Sequence, residues 1–269
     1  YKISIMCQKK CIILFYLLSI FAAVTYAESF LRQPDPLYKF LGKNGKWGFF
    51  DENKKVVIPP QFEDVNYFHE GNAVIMTKDK LFMIINQYGK VITPSGLTFI
   101  KDFREGLAAF CVINSSYPNG KWGYINTQGK MVIPPVYDYA DFFIEGVAAV
   151  GMNISGKAVS YGYINKQEDI IIPFTYSFAV YFSEGIAAVM NSNGKYGFID
   201  KKGNLIIDYV YDYASFFNEG LCIVGMRNKE KKNMLEYGYI NKQGTIVIPP
   251  VHHSAEFFSD GVAIASLKK

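Results

Sequence analysis

The chain has 269 residues, half of them hydrophobic, with 16% aromatic and 19% charged side chains. That balance excludes an intrinsically disordered polymer, which is poor in aromatics and rich in charge, and 23 Gly with 11 Pro are too few for a collagen repeat. The formal net charge of +4 falls to +1 without residues 1–27, because Lys2, Lys9 and Lys10 go with them and no acid does. No nucleic-acid footprint is left in what remains.

In chain order, Lys9 and Lys10 precede an apolar run over residues 12–24, which closes on Ala27. A positive flank, a short apolar stretch and a small residue at the end predict a secretory signal peptide over 1–27. The run is shorter than the roughly 20 residues a spanning helix needs, so no spanning helix is expected in the mature chain. No Cys follows the run to carry a lipid. Residues 28–45 are expected to form an N-terminal cap that ends in a first strand at 38–41, and residues 46–269 one repeat domain. Cys7 and Cys11 belong to the leader, while Cys111 and Cys222 stand at non-equivalent repeat positions among apolar neighbours. Two buried thiols are expected there, not a disulfide framework.

A fixed period then dominates. An aromatic-Gly pair occurs as Trp47-Gly48, Trp122-Gly123, Tyr161-Gly162, Tyr196-Gly197 and Tyr237-Gly238, with Phe82-Met83 as a degenerate copy. Each anchor is followed 23 residues later by an acid before glycine: Glu70, Glu105, Glu145, Glu184, Glu219 and Asp260. The interval from acid to next anchor varies instead, at 12, 17, 16, 12 and 18 residues. Insertions are thus confined to one connection per repeat, as when extra loops cluster on one face of a stacked array.

Within the third copy, Trp122 to Ile125 is expected as a strand and Asn126 to Gly129 as a tight turn, with Gly129 at positive φ. Lys130 to Ile133 returns as a strand that Pro134-Pro135 ends, since proline removes a ladder donor. Tyr137, Ala140 and Phe143 follow at three-residue spacing, which suggests a compact connection with helical-turn character. A third strand at 147–150 completes the unit. The acid before glycine is expected to accept backbone N–H bonds at a turn while the glycine supplies permissive dihedrals.

The segments Lys-Trp-Gly-Tyr-Ile-Asn, Gly-Lys-Met-Val-Ile-Pro-Pro, Tyr-Asp-Tyr-Ala and the Phe-x-Glu-Gly-x-Ala-Ala-Val pattern resemble the bacterial WG-repeat family. The resemblance covers residues 46–265. It departs from the pattern in the second copy, which lacks both Trp and Gly, and in copies four to six, which use Tyr for Trp. It implies a β-rich repeat scaffold and no catalytic residues. The fold expected is therefore all-β, a tandem array of six repeats of 35 to 41 residues. Three strands per unit fall short of the usual four per propeller blade, and strands at both chain ends exceed what one ring closure needs. An open β-superhelix is favoured, with a six-bladed propeller as the alternative.

Catalytic chemistry is sparse. The sequence has no Gly-x-Ser-x-Gly, His-Glu-x-x-His or phosphate loop. His69 occupies a variable position and is expected at the surface. His252 and His253 replace a packing Tyr and an Asp, with no further ligand cluster to complete a zinc site. No cofactor or metal is expected. The inserted loops at 114–120, 153–160 and 227–236 are the places to look for recognition. The last is basic through Arg227, Lys229, Lys231 and Lys232, a candidate contact for an acidic partner or anionic glycan. The expectation is an exported, non-catalytic repeat protein, secreted, periplasmic or held in the envelope, that binds a protein or glycan. A purely structural role, or a hydrolase using paired carboxylates, are the alternatives.

Overall fold

The computed structural model describes residues 37–266, except 95, 96, 155, 157, 229 and 231–233. The expected signal peptide, with Cys7 and Cys11, lies outside the described residues. Among the described residues seven antiparallel sheets follow one another in chain order, with three, three, four, four, four, four and two strands. The third sheet shows the unit: Phe99–Ile100, Leu107–Val112, Lys121–Asn126 and Met131–Tyr137, each strand beside its chain neighbour. The fourth to sixth sheets repeat it and end in the strands Ile170–Tyr176, Leu205–Tyr211 and Ile246–His252.

Two expectations about the unit need correction. The segment after the prolines is no helical turn; Tyr139–Ile144 is a strand that pairs with Val147–Met152. Its spacing of Tyr137, Ala140 and Phe143 crosses a break in strand register between Ala140 and Phe143, and such a bulge mimics a three-residue period. The third to sixth sheets thereby have four strands, the first contributed by the chain that follows the previous sheet. Nor do Pro134 and Pro135 end their strand. Met131–Tyr137 runs through both, which proline permits because this strand is a sheet edge.

Both faces of each central sheet are buried. In the third sheet Ala109 and Tyr124 join Phe143 and Val150 of the fourth in one cluster, while Ala108, Phe110 and Ile125 join Val74 and Ile84 of the second. Apolar layers lie between successive sheets from the first to the sixth. A recurrent ring contact joins successive sheets except the second and third, where Ile84 takes the ring's place: Phe49–Phe68, Tyr124–Phe143, Tyr163–Phe182, Phe198–Phe217 and Tyr239–Phe258, with centroids 4.7–5.5 Å apart. Where the third-strand ring is a Tyr, its hydroxyl donates to a carbonyl in or just past the next sheet's first strand, from Tyr124 to Asp141 O, Tyr163 to Val180 O and Tyr239 to Glu256 O.

The glycine of the aromatic-Gly pair has a steric reason. A Cβ on Gly123 would fall 2.5 Å from the Ile133 carbonyl oxygen, and one on Gly162 the same distance from that of Ile172. Gly48, Gly197 and Gly238 face the matching carbonyls of Ile58, Ile207 and Ile248. The edge strand bulges here and crosses so close that no side chain fits.

The strand Leu37–Leu41 pairs along its length with Trp47–Asp51. At the other end Ser254–Ala255 pairs only with Ala265–Ser266. No described strand of the first sheet pairs with one of the last.

Candidate binding surface

In an antiparallel meander the turns after strands one and three share one rim, and the connections after strands two and four share the other. Sequence chemistry differs sharply between these rims.

On the turn rim, each acid-Gly pair is the two-residue tip of a hairpin. Glu145 has φ 56° and Gly146 φ 86°, the double positive φ of a type I′ turn. Glycine tolerates this, whereas a side chain there costs about 1 kcal/mol. Glu70, Glu105, Glu184 and Glu219 adopt the same conformation, at φ 50–55°. The carboxylates explain why. Each accepts the N–H of the turn glycine in the next sheet: Glu70 from Gly106 at 2.7 Å, Glu105 from Gly146 at 3.0 Å, Glu145 from Gly185 at 3.1 Å, Glu184 from Gly220 at 3.1 Å and Glu219 from Gly261 at 2.9 Å. The expected acid-to-backbone bond is present, and it joins neighbouring repeats instead of closing its own turn.

A lysine from the next sheet's other turn reinforces three of these clasps. Lys166, Lys201 and Lys242 lie 3.1, 2.9 and 2.8 Å from Glu105, Glu145 and Glu184. Burial alone would raise the Glu184 carboxyl, but Lys242 and the Gly220 N–H hold it below its ordinary value. At Glu70 the equivalent turn residue is Thr127, so that clasp has no lysine at this position.

On the loop rim, acids at the crossings between sheets brace a connection in each of the two sheets they join. Asp138 takes Lys121 Nζ at 2.7 Å and the Asn153 N–H at 2.7 Å. Asp212 takes Lys195 Nζ at 2.7 Å and the Arg227 N–H at 2.9 Å. Burial opposes ionisation of Asp212, yet these partners lower its carboxyl below the ordinary range. The insertions leave from these braced bases. Residues 113–120 and 153–159 link the second and third strands in sheets three and four, against 191–195 in sheet five.

The basic insertion is used differently. Its strands lengthen to Leu221–Asn228 and Met234–Asn241 and stay paired through Asn228 and Met234, so both ends of the expected loop at 227–236 are strand. Arg227 stands on the strand, half-exposed, with Nε 3.9 Å from Asp212. Lys229, Lys231 and Lys232 lie outside the described residues. Glu236 is buried and accepts Asn228 Nδ2 at 2.7 Å.

A second polar cluster escaped the sequence reading. Lys101 and Asp141, on the first strands of sheets three and four, pair at 2.9 Å with side chains only 10% and 9% exposed. The Lys101 ammonium also lies 5.0–5.7 Å from the rings of Phe142, Tyr139 and Trp122. Asp102 accepts Asn66 Nδ2 at 2.8 Å and stands 3.7 Å from His69 Nε2. His69 is therefore not a surface residue; its side chain is 11% exposed against Asp102. Burial raises the Asp102 carboxyl above its ordinary value despite Asn66 and the charges of His69, Arg104 and Lys39. The available signal was column-wise. Asp102 stands where the other copies place Tyr67, Phe142, Tyr181, Phe216 and Phe257.

Nucleophile chemistry finds little support. Cys111 and Cys222 are free, buried thiols, and burial pushes Cys222 up to about 12, which keeps it protonated at neutral pH. Among the described residues no three His, Cys, Asp or Glu side chains form a group that could hold a metal ion. No helix among them is long and apolar enough to cross a membrane.

Comparison with known proteins agrees with this geometry. The family model for the WG containing repeat matches six times, at residues 47–80, 82–115, 122–153, 161–196, 196–229 and 237–269. No curated protein sequence matches the chain. Among solved structures, a eukaryotic initiation factor superposes with a TM-score of 0.54 at 9% identity, over 85% of this chain and 67% of its own. A puromycin-hydrolyzing peptidase of Mycobacterium tuberculosis gives 0.47 at 11% identity, over 80% of this chain and 44% of its own. TolB from Acinetobacter baumannii gives 0.40 at 12%, over 78% and 61%. At such identities the first of these speaks to fold alone.

Proposed function

Starting from the premise that the chain belongs to the WG containing repeat family, we propose that it is a non-catalytic, exported scaffold whose loop rim binds a protein or glycan partner. One observation carries the reading. The connections that change length between repeats leave the loop rim, while the turns that join sheet to sheet occupy the opposite rim. Sequence variation is thus kept on the rim opposite the acid-glycine clasps, as suits a repeat scaffold that varies its contacts without disturbing its core. The turn carboxylates are engaged in clasps, which argues against their use as a hydrolytic pair. The positively charged then apolar sequence of residues 1–27, which fits a leader, supports export, and Arg227, Lys229, Lys231 and Lys232 supply basic charge for an acidic partner.

The test is capture from envelope and culture-medium extracts by the tagged protein. It is compared with variants in which residues 114–119 or 229–233 are replaced by Asn-Gly turns. Binding that weakens in the loop variants while melting temperature holds supports the reading. Undiminished capture by both variants contradicts it.

A further inference from the structure

The first and last sheets are each incomplete, and each lacks what the other has. Among the described residues the last sheet holds a first and a second strand, Ser254–Ala255 and Ala265–Ser266, while the first sheet holds a second, third and fourth, Leu37–Leu41, Trp47–Asp51 and Val56–Phe62. Register makes the match specific. In the sixth sheet Ala214 pairs with Val224, which pairs with Gly238. Ala255 is the equivalent of Ala214, and Phe40, which pairs with Gly48, is the equivalent of Val224. No described first strand lies opposite Phe40.

The faces match as well. Phe50 lies 5.7 Å from both Tyr38 and Phe40, on the side of the first sheet turned away from the second. The residues equivalent to Phe40 and Phe50 in the third sheet, Phe110 and Ile125, pack on the sheet before it, whereas Tyr38 is 42% exposed. At the far end Ile248, on the sixth sheet's edge strand, is half-buried. Its equivalents Ile58, Ile133 and Ile172 are at most 2% exposed beneath a following sheet of three or four strands. The clasp series breaks at the same two places. Five acids each hold the next sheet's turn glycine, but among the described residues the exposed carboxylate of Asp260 holds none, and the N–H of Gly71 is held by none.

We propose that copies of this chain associate head to tail: Ser254–Ala255 of one copy completes the first sheet of the next beside Leu37–Leu41, and its Asp260 clasps that copy's Gly71 N–H. Ala265–Ser266 gives way to Leu37–Leu41, so that the two residue pairs it made are replaced by two, and the new neighbour brings a third and a fourth strand over Ile248. Within one chain these strands are not paired, which leaves both ends open to a second copy. Contact between unlike ends repeats from copy to copy, so it builds a line or a ring of copies and no two-fold dimer. The inference does not rest on the loop-rim reading.

Disulfide trapping in the full chain, with Cys7→Ser and Cys11→Ser as background, tests it. Ser254→Cys and Leu41→Cys face each other in the proposed register, and both positions are exposed. After mild oxidation the double variant should run on a non-reducing gel as a ladder of dimers, trimers and higher species, and neither single variant should pass the dimer. Cross-links confined to monomers, which would mean that the ends meet within one copy, or no cross-link at all would each overturn the proposal. Sedimentation equilibrium from about 1 to 100 µM then reads the clasp, with Asp260→Asn weakening association about tenfold. Asn keeps the left-handed turn and removes the charge. Asp260→Glu, which restores the acid of the other five copies, should associate as the wild type does. Association indifferent to Asp260→Asn would contradict the clasp.

Discussion

The first strands of sheets two to four and those of sheets five to seven occupy the same place in the repeat, yet they are joined by opposite chemistry. In the first group neighbouring strands meet through charge and amide: Asn66 and His69 with Asp102, then Lys101 with Asp141. In the second they meet through rings, Tyr181 on Phe216 at 4.9 Å and Phe216 on Phe257 at 4.3 Å and 17°. The turn clasps are common to both groups, and the tight glycine recurs in sheets three to six. The difference teaches that the shared elements define the array, while the column beside them is free to be ionic or aromatic.

The largest effect should come from the aromatic group. Phe216→Ala removes a buried ring that meets Tyr181 on one side and stacks on Phe257 on the other, and should cost about 3 kcal/mol, measured by denaturant unfolding. Lys101→Met should cost roughly 3 kcal/mol, because Asp141 is left as an uncompensated buried charge. Lys101→Met with Asp141→Leu should recover most of that loss, and no such rescue should exist for Phe216. A loss that persists in the double variant would show that the ion pair is not what joins sheets three and four. Next come the clasps. Glu145→Ala in one group and Glu184→Ala in the other should each lower stability by about 1 kcal/mol. Equal values are expected because the clasp is common to both, and a marked inequality would contradict that.

The smallest effect is in pH. Burial raises the Asp102 carboxyl, so its folded pKa lies above its unfolded one. It is therefore without cost below the ordinary carboxylate range and destabilising above its raised value. Asp102→Asn should stabilise the protein by under about 1 kcal/mol at neutral pH, and the gain should vanish on acidification. A gain that persists at low pH would mean that Asp102 ionisation is not its source.

Much of the scaffold was legible because it repeats. The constant 23-residue spacing from anchor to acid, the Gly129 turn and the buried Cys111 and Cys222 needed only local chemistry and counting. What stayed hidden depends on neighbours distant in sequence. The partner of Glu105 is the amide of Gly146, in the next repeat. The strand at Tyr139–Ile144 hid behind its bulge, whose three-residue spacing imitates a helical turn. Lys101, Asp102 and His69 each sit at positions where other copies differ, so comparison of single columns placed His69 outside. Only the stacking of one first strand beside the next brings them together. The basic insertion was legible as composition, but its use of longer strands was not.

Hydrogen exchange at the turn glycines tests the sheet-to-sheet clasp most directly. The amides of Gly106, Gly146, Gly185, Gly220 and Gly261 sit at hairpin tips, where exchange is ordinarily fast, and each donates to a carboxylate of the preceding sheet. Protection of all five is expected, with Glu145→Ala accelerating exchange at Gly185 by about tenfold or more and leaving Gly220 unchanged. Fast exchange at these amides in the wild-type chain, or exchange at Gly185 indifferent to Glu145, would contradict the account.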